Sequence, residues 1–257
     1  MSRFFFIIII PAMLFACNPY ENPLTKNSEK KEILVYSGIT MADAVLELSN
    51  IFEKETGCRV SVMYGASGYL RSVIEVNKAG DIYFPGDASY LNELKDEKVI
   101  TRVEDMGFNR LSFFVEKNNP LRLTGDINQL KDKSLRVIIG AQSGSVGNAT
   151  VALLKKHGIY DEAAANAVSF AADSRGLAEA LRNKKADITV NWYATGFFVR
   201  NAPMMDAIRI DSPYVDNVPI SMGMLRYSVD TECAEKFLDM AASDTGQKIF
   251  RKYGFKD

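Results

Sequence analysis

The sequence has one histidine, His157, one tryptophan, Trp192, and three cysteines, Cys17, Cys58 and Cys233. A structural zinc site draws about four ligands, mostly histidine and cysteine, and this chain nearly lacks both. A Ser-His-Asp enzyme would depend wholly on His157. No sign of charge dominates either. The 31 Lys and Arg residues against 32 Asp and Glu leave a formal charge of −1. Nucleic-acid binders usually carry a basic excess or a basic stripe, so nucleic acid is not expected as a partner. No block of like charge is long enough to form a charged tail. What is present is ordinary for a globular protein: 47% apolar and 25% charged residues over 257 positions. That length suits one large or two small domains with a sizeable core.

The amino terminus reads as a targeting segment. Arg3 supplies a short positive region, and residues 4–16 form an apolar run of 13 residues. A spanning helix needs roughly 20, whereas a secretion signal needs fewer. The run ends in Leu14-Phe15-Ala16-Cys17, which resembles a bacterial lipobox. Residues 1–17 are therefore expected to be a lipoprotein signal, with Cys17 carrying lipid. Residues 18–31 are polar, with Pro19 and Pro23, and read as a flexible tether. An exported protein permits disulfides. A bridge needs Cα atoms within about 7 Å, which a sequence does not reveal, and Cys58 and Cys233 are read as two buried thiols.

From residue 32 strands and helices alternate. Ile33-Leu34-Val35-Tyr36 reads as a strand, and 41–55 as a helix with Val45, Leu48 and Phe52 on one face. Strand signals recur at 60–63 and 81–84, and helix signals at 68–78 and 89–98. A strand at 111–115 is placed where the chain leaves this first unit. A second run has strands at 135–140, 167–170, 187–190, 208–210 and 220–225, with helices at 148–157 and 175–184. Two helices close the chain. The first is capped by Asp230 or Thr231, and the second starts at Asp244 with Gln247 three residues on. This β-α-β pattern predicts an α/β fold with mostly parallel sheets flanked by helices. Two lobes are expected, 32–113 with 222–257 and 114–221, with a ligand in the cleft between them.

Four segments place small or hydroxyl residues just after a strand. They are Ser37-Gly38-Ile39-Thr40, Gly65-Ala66-Ser67-Gly68, 143–148 and Asp173-Ser174-Arg175-Gly176. Helix starts offer unpaired N–H groups and about half a positive charge, a neutral way to hold an anion. Serine and threonine are also the ordinary helix caps, so any one segment alone reads as capping. Enzyme motifs are absent. Gly65-Ala66-Ser67-Gly68 lacks the spacing of a nucleophile elbow, and the glycines at 140–147 lack the lysine of a phosphate-binding loop. His157 lies beside Lys155 and Lys156 at a helix end, where a cation suits the dipole. Trp192 and Tyr193 end a strand and read equally as core or as cleft lining.

The segments YSGITMADAVLELSNIFEKETG, YGASGYLRSVIE, GDIYFPGD, VIIGAQSGSVGNA, ALRNKKADITVNWYA and GQKIFRKYGF resemble the molybdate-binding protein family of bacterial ABC importers, within the type II periplasmic binding proteins. The resemblance covers 32–257. It implies a tetrahedral oxyanion, molybdate or tungstate, held by neutral donors with no direct ligation of the metal atom. The matching positions are Thr40, Ser67, Gly147, Ser174 and Tyr193. Thr40 stands where the family usually has serine, and Asn191-Trp192 where smaller aliphatic residues are common. The resemblance further implies a monomeric, lipid-anchored, non-enzymatic protein of the cell envelope, facing the periplasm or the exterior. It would need no cofactor beyond its cargo and would hand the anion to the permease subunits of an importer. Two other readings stand beside it. One is the same fold with another oxyanion or a small organic acid, with Arg175 as the residue to watch. The other is a periplasmic hydrolase using Ser67, which needs a base within about 3 Å of that oxygen.

Overall fold

The computed structural model describes residues 31–256. The expected signal, the lipid-bearing Cys17 and the tether up to residue 30 lie outside the described residues. Among the described residues no helix is long and apolar enough to cross a membrane.

The first lobe begins with β1 (Glu32–Gly38), α1 (Ala42–Thr56), β2 (Arg59–Gly65), α2 (Ser67–Asn77), β3 (Ile82–Phe84), α3 (Ser89–Asp96) and β4 (Ile100–Asn109). The second holds β5 (Leu111–Glu116), β6 (Val137–Gly140), α4 (Ser145–Lys156), α5 (Tyr160–Asn166), β7 (Ala167–Ala171), α6 (Ser174–Arg182), β8 (Ile188–Trp192) and β9 (Met205–Ile208). The chain then returns through β10 (Val218–Leu225), α7 (Thr231–Ala242) and α8 (Asp244–Lys252). The sheet orders are β2-β1-β3-β10-β4 and β7-β6-β8-β5-β9. These are the same arrangement twice, although no internal repeat is visible in the sequence. In each sheet one strand runs antiparallel to both neighbours. It is β10 in the first and β5 in the second, and each has just arrived from the other lobe.

The lobe boundaries differ from those expected. β5 is continuous from Leu111, so the chain crosses at Arg110 and not after residue 113. β10 begins at Val218, so it returns before 218 and not after 221. Val218 pairs with Asn109, which sets the two crossings side by side. β4 and α5 carry no predicted counterpart, and α4 starts three residues early. β4 is ten residues long but shows only two fully buried positions, so its apolar signal is thin.

Each lobe buries its own core. In the first, α1 turns Val45, Leu48 and Phe52 inward, and Phe52 meets Phe237 of α7 edge to face at 5.1 Å. Burial of such a side chain stabilises the fold by about 1.5–3 kcal/mol. Gly57, in the left-handed region at φ +72°, ends α1. Asp81 is buried, and its carboxylate accepts from the Leu34 N–H at 2.7 Å, the Ser228 hydroxyl at 2.6 Å and the Val229 N–H at 3.2 Å. It thereby pins the returning chain to β1. Asp230 caps α7 by accepting from the Cys233 N–H, and Ser243, one residue before the expected start, caps α8.

The reading of two separate thiols is corrected. Cys58 and Cys233 form a disulfide with Cα atoms 6.5 Å apart, because the first turn of α7 lies over the loop between α1 and β2.

Candidate functional site

The four hydroxyl-bearing junctions converge between the lobes. Gly38, Ile39 and Thr40 follow β1, and Gly65, Ala66 and Ser67 link β2 to α2. From the second lobe come Gly144, Ser145 and Val146 at the start of α4, and Asp173 and Ser174 at the start of α6. Gly86, just beyond β3, completes the wall. The enclosed space measures about 10 Å³, the room of about one water molecule.

The capping explanation for these hydroxyls does not hold. Ser67, Ser145 and Ser174 are each the first residue of a helix, one position inside the cap. The cap positions are Ala66 and Gly144, with no side-chain bond, and Asp173, whose carboxylate accepts from the Gly176 N–H at 3.0 Å. The hydroxyls bond elsewhere instead. Thr40 donates to Ser174 across the lobes at 3.0 Å. Ser67 accepts from the Gly86 N–H at 3.0 Å, and Ser145 from the Trp192 indole at 3.3 Å. Behind them Asn109 donates to the Gly86 carbonyl at 2.8 Å, and Asn191 to the Ser174 carbonyl at 3.0 Å. Burial pushes the Tyr83 phenol well above its ordinary value, so it stays a neutral donor to the Ser67 carbonyl at 2.8 Å. Three helix starts, where first-turn N–H groups generally lack partners within the helix, thus border one small space. Among the described residues no lysine or arginine lines it. Its one charged residue, Asp173, turns its carboxylate onto its own helix.

Of the five positions named from the sequence, Thr40, Ser67 and Ser174 line this pocket, and Gly147 and Tyr193 do not. Gly147 lies one residue deeper in α4, pressed on the end of β6. A Cβ there would stand 2.7 Å from the Gly140 carbonyl oxygen and nearer still to that of Ala141, so glycine serves close packing. Tyr193 begins the turn after β8, bonds the Arg110 carbonyl through its N–H, and lays its ring against Arg110 and Phe197. It sits at the first crossing between the lobes. Successive side chains of a strand alternate in direction, and it is Trp192 that turns toward Ser145. The residues that the position-by-position reading missed are Ser145 and Gly86. The hydroxyl of Ser145, at the same first-turn position as Ser67 and Ser174, was the available signal.

Arg175 does not enter the pocket. It lines a separate groove of about 980 Å³ with Ile39, Asp43, Leu46, Tyr64 and Arg200 among others. Burial pushes the Tyr64 phenol up to about 12 and raises the Asp43 carboxyl, with Arg200 opposing the latter. Among the described residues no base is hydrogen-bonded to the Ser67 hydroxyl, which the hydrolase reading needs, and the single histidine pairs with Ser212 at the far end of α4, 2.6 Å away.

A Bacillus subtilis protein named as a candidate ABC transporter substrate-binding lipoprotein is 24% identical over 97% of this chain and 96% of its own. The periplasmic molybdate-binding protein of Azotobacter vinelandii superposes with a TM-score of 0.77 at 16% identity, covering 87% of this chain and 98% of that one. The sulfate-binding protein SubI of Mycobacterium tuberculosis gives 0.72 at 15% identity, covering 88% and 86%. These superpositions establish the two-lobe fold of periplasmic binding proteins. The family model described as bacterial extracellular solute-binding protein matches residues 33–256, and the chain therefore belongs to the bacterial extracellular solute-binding protein family.

Proposed function

We propose that this protein is the solute-binding component of an ABC importer and that its cargo is a tetrahedral oxyanion, molybdate or tungstate. The observation that carries the reading is the set of three serines at the first position of three helices, drawn from both lobes around one pocket that no cation among the described residues lines. The names of the Bacillus and Azotobacter relatives support it. Thr40, Ser67, Ser145 and Ser174 would supply hydroxyls, and the starts of α2, α4 and α6 backbone N–H groups. Such donors favour an anion that only accepts, because a ligand O–H facing an N–H leaves both unpaired. Sulfate shares that property but is smaller, so donor spacing must reject it. The space of about 10 Å³ is too small for a tetraoxyanion. Capture therefore requires the lobes to part, with the anion replacing the Thr40–Ser174 hydrogen bond as they close on it. The protein would act without catalysis or a resident cofactor. It would be held to the membrane through lipid on Cys17, facing the periplasm or the exterior as a monomer, and would deliver the anion to the permease.

Trp192 is the only tryptophan, and its indole touches Ser145. Titration with molybdate, tungstate, sulfate and phosphate, read by intrinsic fluorescence, tests the reading. A saturable change with molybdate or tungstate, and none with sulfate at about hundredfold excess, is expected. Silence with all four, together with an unmoved melting temperature, would overturn it.

A further inference from the structure

We propose that Arg175 is an anion-capture residue, a guanidinium outside the pocket that speeds the approach of the anion and does not hold it once bound. The inference rests on the oxyanion reading above. Arg175 directly follows Ser174, so the last residue of the pocket wall and the first charge of the groove are neighbours in one helix turn. Ile39 lines both spaces, which gives pocket and groove a common wall.

Two features argue that Arg175 is not placed for stability. It occupies the second position of α6, at the positive end of a helix dipole, where a cation is disfavoured. It is exposed, and among the described residues no hydrogen bond or ion pair compensates it. The acidic groups of the groove are engaged with others. Glu47 accepts from Lys252 at 2.6 Å and from the Tyr253 hydroxyl at 2.7 Å, and Asp43 interacts with Arg200. Arg175 therefore presents its charge to solvent at the rim.

The chemistry explains why the cation stands outside. A guanidinium inside the pocket would hold any small anion and blunt discrimination by donor spacing. At the rim it offsets the net negative charge of the whole chain, which repels a dianion. It thus contributes to the association rate, while the neutral donors retain control of selectivity. Coulomb's law for a dianion passing about 10 Å from one charge in water corresponds to about a fourfold faster encounter. Most of this is lost near 0.15 M salt, where the Debye length is about 8 Å.

The test is stopped-flow association of molybdate with the full chain, followed by Trp192 emission, for wild type, Arg175→Gln and Arg175→Lys at low and high ionic strength. Arg175→Gln should associate about fourfold more slowly at low salt, converge on wild type at high salt, and dissociate at the wild-type rate. Arg175→Lys should keep the fast rate, and neither variant should melt lower. Equal association rates at low salt would overturn the proposal, and so would a several-fold faster dissociation, which would make Arg175 a direct ligand. A wild-type protein silent to all four anions would instead overturn the oxyanion reading on which the proposal stands.

Discussion

Replacing Gly86 with alanine should weaken anion binding while leaving the fold intact. Gly86 belongs to the first lobe and faces Ser145 of the second. A Cβ at residue 86 would stand 2.5 Å from the Ser145 hydroxyl oxygen and 3.5 Å from its Cβ. Ordinary contact begins at 3.4 Å, so the lobes must give by about 1 Å, or Ser145 must abandon the indole of Trp192. The φ of Gly86 lies outside the left-handed region, and alanine meets no backbone penalty there. The clash exists only between closed lobes. Overpacking of this kind costs about 1–3 kcal/mol, which raises Kd about 5- to 150-fold. The assay is the fluorescence titration above, paired with small-angle scattering of the unliganded variant and a thermal melt. The expected result is weaker binding, a larger radius of gyration and an almost unmoved Tm, since the strain is relieved by opening. A Kd within about twofold of wild type with unchanged scattering would refute the reasoning.

Ser174→Ala removes the acceptor of the Thr40 hydroxyl and one proposed anion donor. Affinity should fall about tenfold, near 1.4 kcal/mol, with little change in Tm, and an unchanged Kd by calorimetry would remove Ser174 from the site. Reduction of the Cys58–Cys233 disulfide, which closes a span of 175 residues, should lower unfolding stability by about 3–5 kcal/mol in urea titrations without reductant and with it, and coincident curves would contradict this. Side-chain hydrogen bonds from Arg136, at 2.5 and 3.0 Å, hold the Asp187 carboxyl below its ordinary range. Its contribution is therefore complete above the unfolded value near 3.8 and is lost as pH falls through the lower folded value. Asp187→Asn should cost about 1 kcal/mol at neutral pH, discounted for the exposure of Arg136, and almost nothing near pH 2. A gap that persists in acid would contradict the assignment.

The α/β alternation was legible because most strands are short β-branched runs and most helices show an apolar face, as α1 does with Val45, Leu48 and Phe52. β4 escaped notice because an edge strand shares few buried positions among ten residues. α5 escaped because a seven-residue helix with one buried alanine has almost no apolar face. The convergence of four hydroxyl junctions could be read because each follows a strand, and strands of one parallel sheet end along the same edge. Individual ligand positions were harder. Tyr193 and Trp192 differ by one residue, and a single step at the end of a strand reverses the side chain. Gly147 and Ser145 differ by two, roughly 200° around a helix, which separates the pocket wall from the strand beneath. The disulfide joins residues whose proximity depends on how α7 returns, and nothing local records that.

The antiparallel strand in the first sheet has a consequence for biogenesis. β10 lies between β3 and β4, so residues 32–109 are synthesised as a sheet with a missing internal member. The second lobe is continuous from Leu111 to Ile208 and can assemble while the first waits. Cys58 likewise waits for a partner 175 residues downstream. The lobe synthesised first is thus the one completed last. Until residues 218–252 arrive, its open edges and unpaired thiol are the segments most exposed to aggregation.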